Sequence, residues 1–339
     1  MNIGVFILRR LSLQIFVLIG LTMFTFLLMF GLPGDPAALL FSAGGIAAGM
    51  DEYHAFRAKW GLDLPMWKQY LNFVGNLLRG DMGTSLVTRA PIFDDLKAYF
   101  PATIELAFVS FIFATVMGIP LGIISALKRN SWVDHTIRAV SLFGVSMPIF
   151  WLAIIMLIIF YYYLGIVPSS QRIDLDMEIP KQITGFYLID TLATGYWDGF
   201  VNSVHHLMLP SFILGFSVVG LLARVTRASI LEVISQDYVR TARSKGLHEK
   251  TVIGRHVMRN ALIPTVTILG LLVGGLLSGA VLTETIFAWP GVGRFAVQSI
   301  MLLDRLAVVD ITILIGIAFS TANMIVDIVV AFLDPRIRY

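Results

Sequence analysis

The residues able to do chemistry in this 339-residue sequence are few, and their spacing excludes most reactions. No Gly-Lys pair occurs, so there is no Gly-x4-Gly-Lys-Ser/Thr loop whose backbone amides could cradle nucleotide phosphates. There is no His-Glu-x-x-His, and the lack of cysteine removes thiolate nucleophiles, thiolate metal sites and disulfides. Of six histidines, His205 and His206 are adjacent. Neighbours on a helix point about 100° apart, so they read as two interfacial side chains rather than ligands of one metal. No nucleophile lies in a pattern with a base, so the chain reads as non-catalytic. Three acids, Glu105, Asp310 and Asp327, fall within or at the ends of apolar runs. An acid in hydrocarbon costs at least about 2.5 kcal/mol, so such groups face protein or water. Glu105, four residues after Pro101, is expected to reach water at the end of its run. Asn323 and Asp327 are four apart and share a helical face. They either line a polar path and hold a peptide ammonium, or hydrogen-bond to a neighbouring helix. Met147 and Pro148 are candidates for a narrow point in such a path.

The elements that position these residues are dictated by hydropathy. The chain is 57% hydrophobic and 14% charged, with a mean hydropathy of +0.81, whereas soluble domains are about 25% charged. Six runs, near 10–30, 102–127, 138–164, 207–226, 262–283 and 308–332, are long enough to cross about 30 Å of hydrocarbon. In lipid such runs must be helices, because every backbone polar group has to be satisfied internally. The fold class is therefore all-α integral membrane. The first run exceeds the roughly 7–15 residues of a secretory h-region and ends in Gly31-Leu32-Pro33 without an Ala-x-Ala site, so it reads as an uncleaved helix. With both termini in the cytoplasm, 15 of the 25 Lys and Arg residues fall inside, and the ten outside include six in the long first loop. The short loops thus obey the positive-inside bias.

This order gives a first helix (1–30), an extracytoplasmic segment (31–101), a core of five helices (102–332) and a short cytoplasmic tail (333–339). The segment 31–101 carries amphipathic stretches, Tyr53–Trp60 and Trp67–Leu78, expected to form short helices. The external loop 165–206 is acidic and is expected to form a small cap. Both read as docking surface for an extracytoplasmic partner or as ordered loop. Gly118/Gly122, Gly270/Gly274 and Gly275/Gly279 have the small-x-x-x-small spacing that lets helices approach in lipid, and Pro120 and Pro148 are expected to kink their spans.

The loop 224–260 holds eight basic residues against three acidic. Ile230, Val233, Ile234, Tyr238 and Ala242 recur at helical spacing. Arg243 and Lys245 precede Gly246, as at a helix C-terminus, and a second amphipathic stretch, Thr251 to Asn260, leads into the fifth span. A basic loop lying on anionic headgroups would explain the charge alone. Small residues at Thr241, Ala242, Ser244 and Gly246 favour instead a helix–glycine–helix knob that enters a cytoplasmic partner.

The run Asp237-Tyr238-Val239-Arg240-Thr241-Ala242-Arg243-Ser244-Lys245-Gly246-Leu247, followed by Arg259-Asn260-Ala261-Leu262-Ile263-Pro264, resembles the coupling loop of binding-protein-dependent ABC importers, in particular the dipeptide/oligopeptide branch. Similar pieces run along nearly the whole chain: Gly34-Asp35-Pro36, Gly61-Leu62-Asp63-x-Pro65, Gln69-Tyr70, Gly80-Asp81-x-Gly83-x-Ser85, Pro101-Ala102-Thr103-x-Glu105-Leu106 and Met147-Pro148-x-Phe150-Trp151. The series ends with Thr283-Glu284-Thr285-Ile286-Phe287-x-Trp289-Pro290-Gly291-x-Gly293 and Asp334-Pro335-Arg336-Ile337-Arg338. The chain departs from the wider importer pattern in carrying Arg259 where a proline usually follows the loop glycine. The proline comes at Pro264, a shift shared with the peptide branch.

The resemblance implies a B-type permease subunit of the bacterial inner membrane, working by alternating access. It implies a second, C-type permease, two cytoplasmic ATPases that hold the ATP and Mg, and an extracytoplasmic binding protein that delivers a peptide, most simply a dipeptide. No cofactor is expected on this chain, and no nucleic acid. It makes Asp237, Tyr238, Arg240, Thr241, Ala242, Arg243, Lys245, Gly246 and Leu247 the expected ATPase contact. Glutathione or nickel-complex import within the same branch, or ion-coupled transport through Asp327 or Glu105, are the alternatives.

Overall fold

The computed structural model describes residues 3–31, 50–59, 61 and 63–333. The Gly34-Asp35-Pro36 motif, Leu62 and the tail motif at 334–338 lie outside the described residues. In chain order the helices are α1 (Ile3–Gly31), α2 (Met50–Lys59), α3 (Met66–Leu78), α4 (Ile92–Leu127), α5 (Trp132–Ser146), α6 (Ile149–Met156), α7 (Tyr187–Thr194), α8 (Trp197–Ile234), α9 (Asp237–Ser244), α10 (Glu249–Thr251), α11 (Met258–Ile286), α12 (Val292–Met301) and α13 (Arg305–Leu333). A π-helical turn, Leu157–Tyr163, continues α6, and another, Val252–Val257, joins α10 to α11. Among the described residues five helices, or six with one bent pair, are long and apolar enough to cross a membrane. The expected short helices of the first external segment are α2 and α3.

Three spans differ from expectation; the fourth, expected over 207–226, is the longer α8, Trp197–Ile234, which takes in the end of the external loop and the start of the cytoplasmic one. The third, expected as one kinked helix over 138–164, is α5 and α6 meeting at 106°. Met147 (φ −80°, ψ 134°) and Pro148 (φ −62°, ψ 128°) are extended. The proline ring disfavours helix in the residue before it, and its missing N–H is tolerated only where a new helix starts. Pro148 therefore breaks the span. The second span begins at Ile92, ten residues early, with Asp94 and Asp95 in its first turn, where acids complement the helix dipole.

The chain divides into two compact units, and the division is not sequential. One takes in Ala102–Trp289 and Thr321–Tyr339, the other Asn2–Pro101 and Pro290–Ser320. In the first, α8 is flanked through glycines. A Cβ at Gly118 would stand 2.8 Å from the Leu222 Cβ, one at Gly122 2.7 Å from the Ala223 carbonyl, and one at Gly220 2.5 Å from the Ser141 carbonyl. Gly270 of α11 likewise lies against Val326. On the second stripe expected on α11, Gly275 has no neighbour within 4 Å of a Cβ, being turned about 140° from Gly270 at 100° per residue, and the surroundings of Gly279 lie outside the described residues.

The second unit packs α3 on the outer part of α1 through Phe26, Phe73, Val309 and Ile313, and α4 on α12 and α13 through Leu96, Phe295 and Ile311. The Gly80-Asp81-x-Gly83-x-Ser85 motif is a tight turn there. Gly80 and Gly83 take φ near +80°, which only glycine adopts freely, and Ser85 donates to buried Asp304 at 2.8 Å. Burial pushes the Asp304 carboxyl above its ordinary range despite donors from Ser85 and Leu86.

Candidate functional site

The loop carries a short helix, a glycine bend and a return toward α11, but the helical spacing read across Ile230–Ala242 is divided, since α8 ends at Ile234 and α9 starts at Asp237. After α8 ends, α9 runs for two turns, Gly246 takes φ +75°, and α10 opens the return to α11. The left-handed backbone at Gly246 costs a residue with a Cβ roughly 1–2 kcal/mol. Val239 and Ala242 point inward and join Ala126, Ile230, Val252, Val257 and Ala261 in one apolar cluster. Asp237, Tyr238, Arg240, Thr241, Arg243, Lys245, Gly246 and Leu247 are exposed on the outer side. Of the nine expected contact residues, only Ala242 thus belongs to the root rather than the surface. The bend is closed by Arg243, which donates to both oxygens of Glu249 at 2.7 and 3.1 Å. That hydrogen bonding holds the Glu249 carboxyl below its usual range. Asn260 donates to the Tyr238 hydroxyl at 2.8 Å, tying α9 to α11.

Beneath the knob lies an ion pair that sequence reasoning did not single out. Asp134 is fully buried at the start of α5 and accepts both Nε and Nη2 of Arg227 on α8, at 2.8 and 2.9 Å. The Ser125 hydroxyl (2.5 Å) and the Asn130 amide (2.9 Å) complete its shell. In sequence Arg227 is one of eight loop cations and carries no mark of the pairing. The short α4–α5 turn is thereby fixed to α8 at the level of the loop root.

The proposed path residues are placed separately. Met147 and Pro148 form the 106° break, with Met147 packed beside Leu152, Ile213 and Phe287. Asn323 is half-buried on α13. The side chain of Asp327 lies outside the described residues, so the pairing of the two is not described.

At the opposite end of the same unit the expectation for Glu105 is corrected. It does not reach water. It is 4% exposed and paired at 2.5 Å with Arg172 of the loop after α6, and it accepts the Leu188 amide at 2.8 Å. A buried carboxylate needs such a partner, and Arg172, 67 residues on, carries no local sequence signal of the pairing. The Arg172 guanidinium stacks 3.6 Å from the Tyr187 ring centroid and donates to the Gly185 carbonyl. Asp190 collects four donors from Ile183, Thr184 and Gly185. Burial opposes its ionisation, but these bonds outweigh burial and hold its carboxyl below the usual range. The histidine pair pins the same loop: His205 Nε2 meets the Ile166 carbonyl at 2.7 Å, and His206 lies between the Gln171 carbonyl and Asp174. Two motifs far apart in sequence also meet. Thr103 donates to Glu284 at 2.6 Å, and Trp289 Nε1 donates to the Ala102 carbonyl at 2.9 Å.

Comparison with known proteins gives a consistent picture. Residues 118–339 match the family described as binding-protein-dependent transport system inner membrane component, and residues 3–107 match the N-terminal region of such components. Among curated relatives, the di/tripeptide transport system permease protein DppB of Pseudomonas aeruginosa is 44% identical over 334 residues, covering 98% of both chains. The probable D,D-dipeptide transport system permease protein DdpB of Escherichia coli K12 is 42% identical over 323 residues, covering 95% of this chain and 94% of the relative. Among solved structures, an inward-facing form of the MetNI methionine ABC transporter superposes with a TM-score of 0.50 at 16% identity, covering 69% of this chain and 93% of the other. That likeness concerns the fold alone.

Proposed function

The chain belongs to the binding-protein-dependent transport system inner membrane components, and from that premise we propose that it is the B-type permease subunit of an ATP-driven importer of short peptides, with dipeptides as cargo. It is a multi-pass protein of the bacterial inner membrane. The relatives named for dipeptides and di/tripeptides support the cargo.

The observation that carries the reading is the knob. Its outer surface, Asp237 to Leu247, offers charge and a glycine bend to a partner, and its root is an apolar cluster shared by α4, α8 and α11. Close-packed interiors transmit displacement rather than absorb it. A cytoplasmic ATPase closing on the exposed residues would therefore move the inner ends of three spans together, and the Asp134–Arg227 pair would carry α5 with them. Two ATPases holding ATP and Mg, a second permease and an extracytoplasmic binding protein complete the assembly in this reading, and closure switches the bundle between inward- and outward-facing states. Met147, Pro148, Asn323 and Asp327 are the proposed path residues on this chain.

The test is Gly246→Glu in the reconstituted transporter. Nothing lies within 4 Å of a Cβ there, so the change alters the presented surface without a clash in the root. ATP-dependent dipeptide uptake is expected to fall at least tenfold while the chain still inserts. Uptake at the original rate would refute the assignment of the loop.

A further inference from the structure

We propose that α3 is an interfacial helix lying in the outer headgroup layer, with Trp67, Leu71 and Leu78 against acyl chains, Val74 at the edge of the protein core, and Lys68 and Arg79 on lipid phosphates. At 100° per residue the three exposed apolar side chains fall within about 40° of one another. Trp67, Leu71 and Leu78 are 61%, 59% and 83% exposed, although a soluble helix would hide such a stripe. The rest of the circumference is already assigned. Tyr70, Phe73 and Leu77 form the stripe that packs on α1, with Tyr70 and Phe73 ring centroids 5.3 and 5.6 Å from Phe26 and the Tyr70 hydroxyl 3.0 Å from that of Thr22. Gln69, Asn72 and Asn76 form a third stripe, about 150° from the apolar one, and line a cavity with Phe30, Asp81 and Thr84.

Lys68 and Arg79 occupy the boundary between the apolar and amide stripes, and the Lys68 ammonium sits 5.3 Å from the Trp67 ring centroid. Around the helix the order is exposed apolar stripe, cations, amides, protein core. That is the order an interfacial helix requires, with tryptophan and lysine at headgroup depth. The occupant of the free stripe follows from position and charge. α3 is docked on the outer end of the apolar span Ser12–Gly31, whose Phe24, Leu27 and Leu28 are themselves exposed. Two cations flanking the stripe match phosphate better than the apolar centre of a protein interface.

Because the chain has no cysteine, single nitroxide labels are placed on Trp67→Cys, Leu71→Cys and Leu78→Cys, and on Asn72→Cys and Asn76→Cys as the opposite stripe. The full transporter, its other chains freed of reactive cysteine, is reconstituted in phosphatidylethanolamine–phosphatidylglycerol bilayers. Collisions with oxygen relative to a water-soluble nickel chelate are expected to be several-fold higher at 67, 71 and 78 than at 72 and 76. Lys68→Glu with Arg79→Glu should shift 71 and 78 toward the chelate. Chelate-dominated collisions at 71 and 78 would place the stripe in water, and few collisions with either reagent would place it under a protein partner. Either result overturns the proposal, and neither depends on what the transporter carries.

Discussion

Arg227→Met isolates the brace under the knob. It removes two charge-assisted donors from a carboxylate with no solvent exposure. Breaking one side of a buried pair costs about 3–5 kcal/mol, because the remaining charge is left in low dielectric. Here Ser125 and Asn130 still donate, and Arg138 Nε remains 3.6 Å away although half exposed, so the lower end, about 3 kcal/mol, is expected. Asp134→Asn removes the charge and keeps one acceptor oxygen, but its amide N–H groups face the two donors that the other oxygen served, so it should cost about 1–3 kcal/mol. The double variant should be no worse than Arg227→Met, giving a coupling energy of at least about 1 kcal/mol. The assay is equilibrium unfolding of the four chains in mixed detergent, followed by helical signal, with ATP-dependent uptake alongside. A cost for Arg227→Met below about 1 kcal/mol, as for an exposed pair, or strictly additive single effects, would refute the claim that this pair fixes α5 to α8.

Asp190 should make the outer cap acid-sensitive. Its folded carboxyl is held below the ordinary value of 3.8, so its contribution is complete above that value and is lost as pH falls through the lowered one. Protease cleavage within 179–186 should rise only under those acidic conditions, and Asp190→Ala should raise it at neutral pH by stranding its donors, at about 1–3 kcal/mol. Gly270→Ala should destabilise by about 1–3 kcal/mol through overpacking, because its Cβ would overlap Val326. Thermal unfolding should show Val326→Ala restoring most of the loss. At Gly246, Ala should reduce coupled uptake mildly and Asn less, since φ +75° costs Ala about 1 kcal/mol and Asn tolerates the left-handed region better.

What the sequence showed and hid follows from the range of the interactions. Spans, the short helix α2, amphipathic α3 and the α9–Gly246 bend are encoded within a turn or two, as hydropathy, periodicity and a glycine after cations, and these were legible; the amphipathic face expected on α2 is not formed. The 106° break was legible only as a kink, because a proline states that one hydrogen bond is lost but not whether the helix resumes on the same axis. Glu105 was misread because its partner, Arg172, lies in a loop 67 residues away. Asp134 and Arg227 were invisible for the same reason, and the positive-inside bias gave Arg227 a sufficient explanation already. Gly275 shared the spacing of Gly270, but spacing does not reveal whether a neighbouring helix is present to be approached.

The buried charges suggest how a push at the knob travels. On α4, Ser125 is tied to Asp134 at the inner end and Glu105 to Arg172 at the outer end. On α8, Arg227 is clamped at the inner end and His206 at the outer end. Between these points the two helices meet through Gly118 and Gly122. Helices held at both ends and in close contact between them should move as one strut, with the change of shape falling at the Met147–Pro148 break. Gly118→Cys with Leu222→Cys tests this in a chain otherwise free of cysteine. The Cβ positions are 2.8 Å apart, about 1 Å under the ~3.8 Å usual for a disulfide, so the two helices must part locally by about that much to admit the bond, and uptake is compared before and after oxidation of the same variant. If α4 and α8 move together, oxidation should lock the pair and leave ATP-dependent uptake within about twofold, a change of roughly 0.4 kcal/mol in the barrier. Loss of uptake on oxidation, recovered with reductant, would mean that the two helices slide past each other during transport.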